Sequence, residues 1–178
     1  MNDAASPNLK TQQIWVFGQI ALSVPLQLLF VRWGYNHAGF VGPAGDSMGD
    51  RLAYALQWDL LGALVLLAMI GFLAGSRPIR HDTIDGNDRA EALAIHVRVQ
   101  RNTVEQLMLM LFGHLTLATV LRVDQLHIIP VLALLFVVSR VAYWIGYVRA
   151  PHYRTLGFVA TFYPNIAALL YSAWRIYL

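Results

Sequence analysis

A chain of 178 residues that is 57% hydrophobic and only 13% charged carries about half the charge of an ordinary water-soluble domain. Its mean hydropathy of +0.51 and long charge-free runs suit a single lipid-exposed helix bundle and argue against a water-soluble core. The absence of cysteine excludes disulfides, thiolate metal sites and a cysteine nucleophile, while a net charge of +3 placed at helix ends and loops reflects membrane topology, with no nucleic-acid partner.

Five apolar stretches follow in chain order, at about 14–31, 52–74, 107–121, 128–148 and 156–178. A bilayer crossing needs about 20 helical residues. Nothing alternates with a strand period, so the expectation is an all-α integral membrane bundle. The first stretch holds Gln19, Pro25 and Gln27, so it is expected to kink or to turn a face towards protein. It is too long for a signal-peptide core and is read as retained. The segment 34–50, with Gly34, Gly39, Gly42, Pro43, Gly45 and Gly49, reads as a loop, and 76–88 as a second linker. The short turn at 122–125 makes the third and fourth helices antiparallel neighbours. Pro151 breaks 149–154, the junction to the fifth.

Five spans put Lys10, Arg77, Arg80, Arg89, Arg149 and Arg154 on one side and Arg32, Arg51, Arg122 and Arg175 on the other. That excess predicts a cytoplasmic N-terminus. Lys10 is the lone lysine among many arginines, a bias that fits a GC-rich bacterial genome and hence a bacterial inner membrane.

The third helix has no Pro or Gly from 90 to 112 and should start well before its apolar part. Residues 106–121 span roughly 24 Å, short of the ~30 Å hydrocarbon layer. Glu105 therefore lies inside the membrane, Arg101 near its boundary and Arg98 just above. Arg98, Arg101, Asn102 and Glu105 fall at i, i+3, i+4 and i+7, on one helical face. Snorkelling accounts for Arg98 and Arg101 but not for the amide and carboxylate that continue the stripe. On the fourth helix Arg140, Tyr143 and Tyr147 repeat the spacing near the same depth, and a Glu105–Arg140 ion pair is expected. Arg154 and Thr155 begin the fifth helix, where backbone N–H groups favour an anion. A pocket built from these groups suits a small, multiply anionic ligand with an ammonium group.

The six histidines show no i, i+4 pair, so a metal site is not expected. His114 is expected to bond a neighbouring helix, and Asp59 to lie at the interface or to pair with another subunit.

The run Arg98-Val99-Gln100-Arg101-Asn102-Thr103-Val104-Glu105 resembles the arginine–asparagine–glutamate signature of the MAPEG family, the membrane-associated proteins of eicosanoid and glutathione metabolism. Arg140-Val141-Ala142-Tyr143-Trp144-Ile145-Gly146-Tyr147-Val148-Arg149-Ala150-Pro151, then Arg154-Thr155, resembles the family's next helix and exit loop. Two motifs in order on adjacent helices make the likeness specific. It covers 52–178 as a four-helix MAPEG-like membrane domain, leaving 1–51 as an extra N-terminal transmembrane helix with its Gly-rich loop. The resemblance implies a homotrimer binding glutathione between subunits through Arg98, Arg101, Asn102, Glu105, Arg140, Tyr143 and Tyr147, with Arg77, in preference to Arg80, from the preceding helix. It implies that Arg154 steadies the glutathione thiolate, with Thr155 as a nearby hydroxyl. Tyr143 stands where prostaglandin E synthase relatives have His and cysteinyl-leukotriene synthase relatives have Tyr. Thr155 stands where the former have Ser. The implied activity is conjugation of hydrophobic electrophiles, or reduction of lipid hydroperoxides, delivered from membrane lipid. The alternative is a non-enzymatic accessory subunit of a larger membrane complex. A transporter is disfavoured, because the charges cluster at one membrane face instead of lining a path.

Overall fold

A computed structural model describes residues 9–76 and 91–178. Five helices make up most of them: α1 (Leu9–His37), α2 (Met48–Ser76), α3 (Glu91–Val120), α4 (Ile128–Arg149) and α5 (Arg154–Tyr177). All five are long and apolar enough to cross a membrane. Short 3₁₀ turns, Val123–Gln125 and Pro151–Tyr153, join α3 to α4 and α4 to α5.

The helix limits have local causes. Ser47 caps α2: its hydroxyl accepts the Asp50 N–H at 3.2 Å. Arg51, one residue on, donates to the Leu121 carbonyl and so closes the end of α3. Ala150 is extended (φ −164°, ψ 143°) because Pro151 follows it, and α4 ends there. The helices also run into the glycine-rich segment expected to be loop. Gly34 lies inside α1 because α4 passes so close that a Cβ would meet Val131 Cγ1 at 2.8 Å. Gly49 lies in the first turn of α2.

The helix faces are sorted as lipid demands. On α1 the buried residues are Gln19, Ser23, Gln27 and Gly34, while Phe17, Leu22, Leu26, Leu29 and Trp33 are exposed. Polar groups that would be unpaired in hydrocarbon turn towards protein, and the apolar ones meet lipid. The expectation that α1 faces protein through its glutamines holds, and the helix continues through Pro25. Helix α1 packs on α4 and α5, α2 on α3 and α4, and α5 on both α3 and α4. One apolar cluster joins Tyr54 and Ala55 of α2 to Leu117, Ala118, Leu126 and Ile129. A second, of Met69, Val99, Tyr143 and Tyr147, lies beneath the polar stripe at the other end.

Candidate functional site

The site sits at the end of the bundle where α4 hands over to α5. Two glycines bring those helices together. A Cβ on Gly157 would meet the Tyr143 backbone N at 2.5 Å and the Ser139 carbonyl at 2.6 Å, and one on Gly146 would meet the Tyr153 carbonyl at 2.6 Å. With no side chain between them, the α4 residues Arg140, Tyr143 and Tyr147 lie directly against the start of α5.

Arg140 is the keystone of this packing. It is 0% exposed. Its guanidinium donates to Asn102 Oδ1 at 2.9 Å, to the Gly157 carbonyl at 3.2 Å and to Thr161 Oγ1. It also lies over the Tyr143 ring at 4.5 Å and the Phe136 ring at 5.8 Å. Among the described residues no carboxylate comes within ion-pair distance of it.

The expected Glu105–Arg140 pair therefore does not form. Glu105 instead pairs with Arg101 on its own helix at 3.7 Å and accepts a long bond from Asn102 Nδ2 at 3.4 Å. The reason is rotational. The buried face of α3 runs through Val99, Thr103, Gln106, Met110 and His114. At about 100° per residue, Asn102 lies roughly 80° from the centre of that face and Glu105 roughly 140°. The amide reaches inward; the carboxylate points out.

Asn102, Tyr143, Arg154 and Thr155 line one cavity of about 440 Å³, with Val16 of α1 and Phe158 of α5. Arg154 lies over the Tyr147 ring at 4.7 Å, and the Tyr143 and Tyr147 rings are 5.8 Å apart. Thr155 Oγ1 donates to the His152 carbonyl at 3.3 Å. Arg98 is exposed, as are the side chains of Arg101 at 84% and Glu105 at 58%. These three stand on the outer face of α3, beside the cavity and not within its walls. Arg77 lies outside the described residues.

Helix α1 braces the α4–α5 junction. Gln19 Nε2 donates to the His152 carbonyl at 2.8 Å, and Gln19 Oε1 accepts the Leu156 N–H at 3.2 Å. Ser23 Oγ donates to the Leu156 carbonyl at 3.2 Å. The Gln19 amide thus serves as a cap for α5, whose own start has no side-chain cap.

Reading the sequence alone missed Gln19, Gly157 and Thr161 as parts of this arrangement. A signal existed on α5: Gly157, Thr161, Asn165, Ala168 and Ser172, all buried, recur at helical spacing along an otherwise apolar segment. Deeper in the bundle, Asn165 Nδ2 donates to the carbonyl and side-chain oxygen of Gln106 at 3.1 and 3.2 Å. His114 and Asp59 contact each other, Nδ1 to Oδ1 at 2.5 Å, both almost wholly buried. His114 bonds a neighbouring helix as expected, and Asp59 finds its partner inside its own chain.

The polar stripe, the tyrosines and the arginine at the start of α5 occupy one end of an all-helical membrane bundle. A profile of the MAPEG family matches residues 13–174. The chain belongs to the MAPEG family. The match reaches from within the first helix of this MAPEG protein to within the fifth and establishes it as an integral membrane protein. It is similar to transmembrane protein 79 of Bos taurus, 29% identical over 150 residues, which is 80% of this chain and 36% of the relative. The Mus musculus protein of the same name matches with the same identity and coverage. The chain thus spans about a third of the length of the curated relatives it matches. No solved structure matches it.

Proposed function

We propose that this MAPEG protein is a glutathione-dependent membrane enzyme that conjugates hydrophobic electrophiles or reduces lipid hydroperoxides. The observation that carries this reading is the cavity of about 440 Å³ lined by Asn102, Tyr143, Arg154 and Thr155. Its size lies in the range of small-molecule sites, and its cationic and donor groups fit a tripeptide with two carboxylates and an acidic thiol. Glutathione, when bound, supplies a thiol whose anion is the nucleophile or reductant.

The residues divide the work by charge. Arg154 favours the anionic sulfur and lowers the thiol pKa, with the Thr155 hydroxyl beside it. Arg98 and Arg101 take carboxylates and Glu105 the ammonium group. Asn102 and the two tyrosines orient the backbone. Arg140 acts from behind, holding Asn102 and the Tyr143 ring in place. The family resemblance would add Arg77, in preference to Arg80. Glu105, read as lying inside the membrane, faces outward from α3, and a neighbouring copy beside it would lower the cost of that carboxylate, which supports a homotrimer with sites between subunits. The N-terminus is assigned to the cytoplasm by the excess of basic residues on that side.

The accessory-subunit reading draws on a different observation. Gln19 already occupies the Leu156 N–H, so part of the anion-binding start of α5 is filled by the protein's own α1. Titration calorimetry with glutathione in detergent separates the two. The enzyme reading expects binding by the wild type and its loss in Arg101→Ala and Glu105→Gln, with the oligomer intact. Arg154→Ala should keep binding but lose at least about a hundredfold in turnover. Absence of binding by the wild type removes the enzymatic reading.

A further inference from the structure

A second cavity, of about 400 Å³, lies between α1 and the bundle and is walled by Val24, Gln27, Leu117, Leu132, Pro164 and Tyr171, among others. It is distinct from the polar site. Pro164 is ten residues along α5 from Arg154, about 15 Å towards the opposite membrane face. Its walls are apolar side chains and tyrosines, with one exception. Gln27 is only 5% exposed, its Oε1 is buried without a hydrogen-bond partner, and its carboxamide makes no hydrogen bond among the described residues.

The gap is held open by the way α1 is fastened. At one end Gln19 and Ser23 bond to the α5 junction. At the other, Gly34 lies against Val131 and the Tyr35 ring sits 4.0 Å from that of His127. Between these two attachments α1 cannot move inward to close the space. A buried amide in hydrocarbon demands a partner. Water is a poor one here, because it needs two to four polar neighbours and the cavity is walled almost wholly by apolar groups, Gln27 and two tyrosines apart. An acyl chain fills the volume but leaves the amide unpaired. A hydroxyl answers both ends of the carboxamide, donating to its oxygen or accepting from its nitrogen.

We infer that this cavity is a binding site for a hydroxyl-bearing lipid, a long-chain or polycyclic alcohol whose apolar body fills the space and whose hydroxyl bonds Gln27. Such a site gives the protein a second, membrane-derived ligand in the half of the bilayer away from Arg154. It stands independently of the glutathione reading.

The test uses the full-length protein in phosphatidylcholine vesicles with two photoactivatable diazirine probes, a long-chain alcohol and the alkane of equal length. Labelled peptides are identified by mass spectrometry. The alcohol should label 24–31 and 163–171 about fivefold more than the alkane, the discrimination one hydrogen bond provides. Gln27→Leu should erase that preference while leaving labelling by the alkane. Leu132→Trp, which fills the cavity, should reduce labelling of these segments by both probes, and it keeps the test decisive where Gln27→Leu fails to fold. Equal labelling of the wild type by both probes would mean that acyl chains alone occupy the cavity and would overturn the proposal. A preference that survives Gln27→Leu would overturn it too.

Discussion

Arg140 is a guanidinium with no exposure and no carboxylate partner among the described residues, held by an amide, a carbonyl, a hydroxyl and two aromatic rings. Removing any one of these leaves a buried charge short of a partner, a loss of about 1–3 kcal/mol. Asn102→Ala should therefore destabilise the protein by that amount in addition to any effect on ligand binding, whereas Arg101→Ala, at an exposed position, should leave stability nearly unchanged. Thermal unfolding of the two variants in one detergent checks the contrast; equal losses would refute the supporting role of Asn102. The spacing of Arg98, Arg101, Asn102 and Glu105 made their shared stripe readable, because helical periodicity depends on sequence alone. It did not reveal which edge of the stripe borders the core. That depends on the rotation of α3 against α4 and α5, which packing of Val99, Thr103 and Gln106 decides. The Asp59–His114 contact was unreadable for a related reason. It depends on the axial register of two helices joined through 77–90, and no local pattern encodes that register.

At the scale of elements, the five crossings were visible as hydropathy, and their ends were not. Gly34 and Gly49 look like loop residues until α4 and the Ser47 cap account for their place in helices. The role of α1 was half visible. Its buried face consists of Gln19, Ser23, Gln27 and Gly34; the glutamines pointed to a protein-facing side, but not to the α4–α5 junction as what that side meets. Gln19 connects α1 to the junction carrying Arg154, so it is a positioning residue for the proposed thiolate site. Gln19→Leu leaves the Leu156 N–H and the His152 carbonyl without this partner, at about 1–2 kcal/mol, the usual cost of losing a cap. Turnover with glutathione should fall more than glutathione affinity, because the change displaces Arg154 and not the α3 stripe, and the pH dependence of the rate should shift upward as the thiol pKa rises. Gln19→Glu keeps the acceptor for Leu156 and should recover part of the loss. An unchanged pH profile in Gln19→Leu would reduce the residue to a purely structural contact.

The whole molecule presents two kinds of surface to its surroundings. Along α1 the exposed side chains include Phe17, Leu22, Leu26, Leu29 and Trp33, a largely apolar face that lipid satisfies, with Arg32 exposed near one end. Along α3 the exposed side chains include Arg101 and Glu105 with Val104, Met108 and Phe112. Glu105, read as lying below the membrane boundary on that face, is costly against lipid and less so against a protein neighbour. The proposed trimer should therefore form through α3, with α1 on its periphery. Because the chain has no cysteine, single cysteines can report this without a background. Val104→Cys treated with a short bismaleimide in vesicles should give cross-linked dimers, and Leu29→Cys should stay monomeric under the same treatment. The vesicles must be dilute in protein so that random encounters do not link Leu29→Cys. Glutathione bound between subunits should also raise the melting temperature of the wild-type oligomer, since a ligand that binds only the assembled form stabilises it by mass action. Cross-linking through Leu29 with none through Val104 would place α1 at the interface, and the stripe on α3 would then need a different partner.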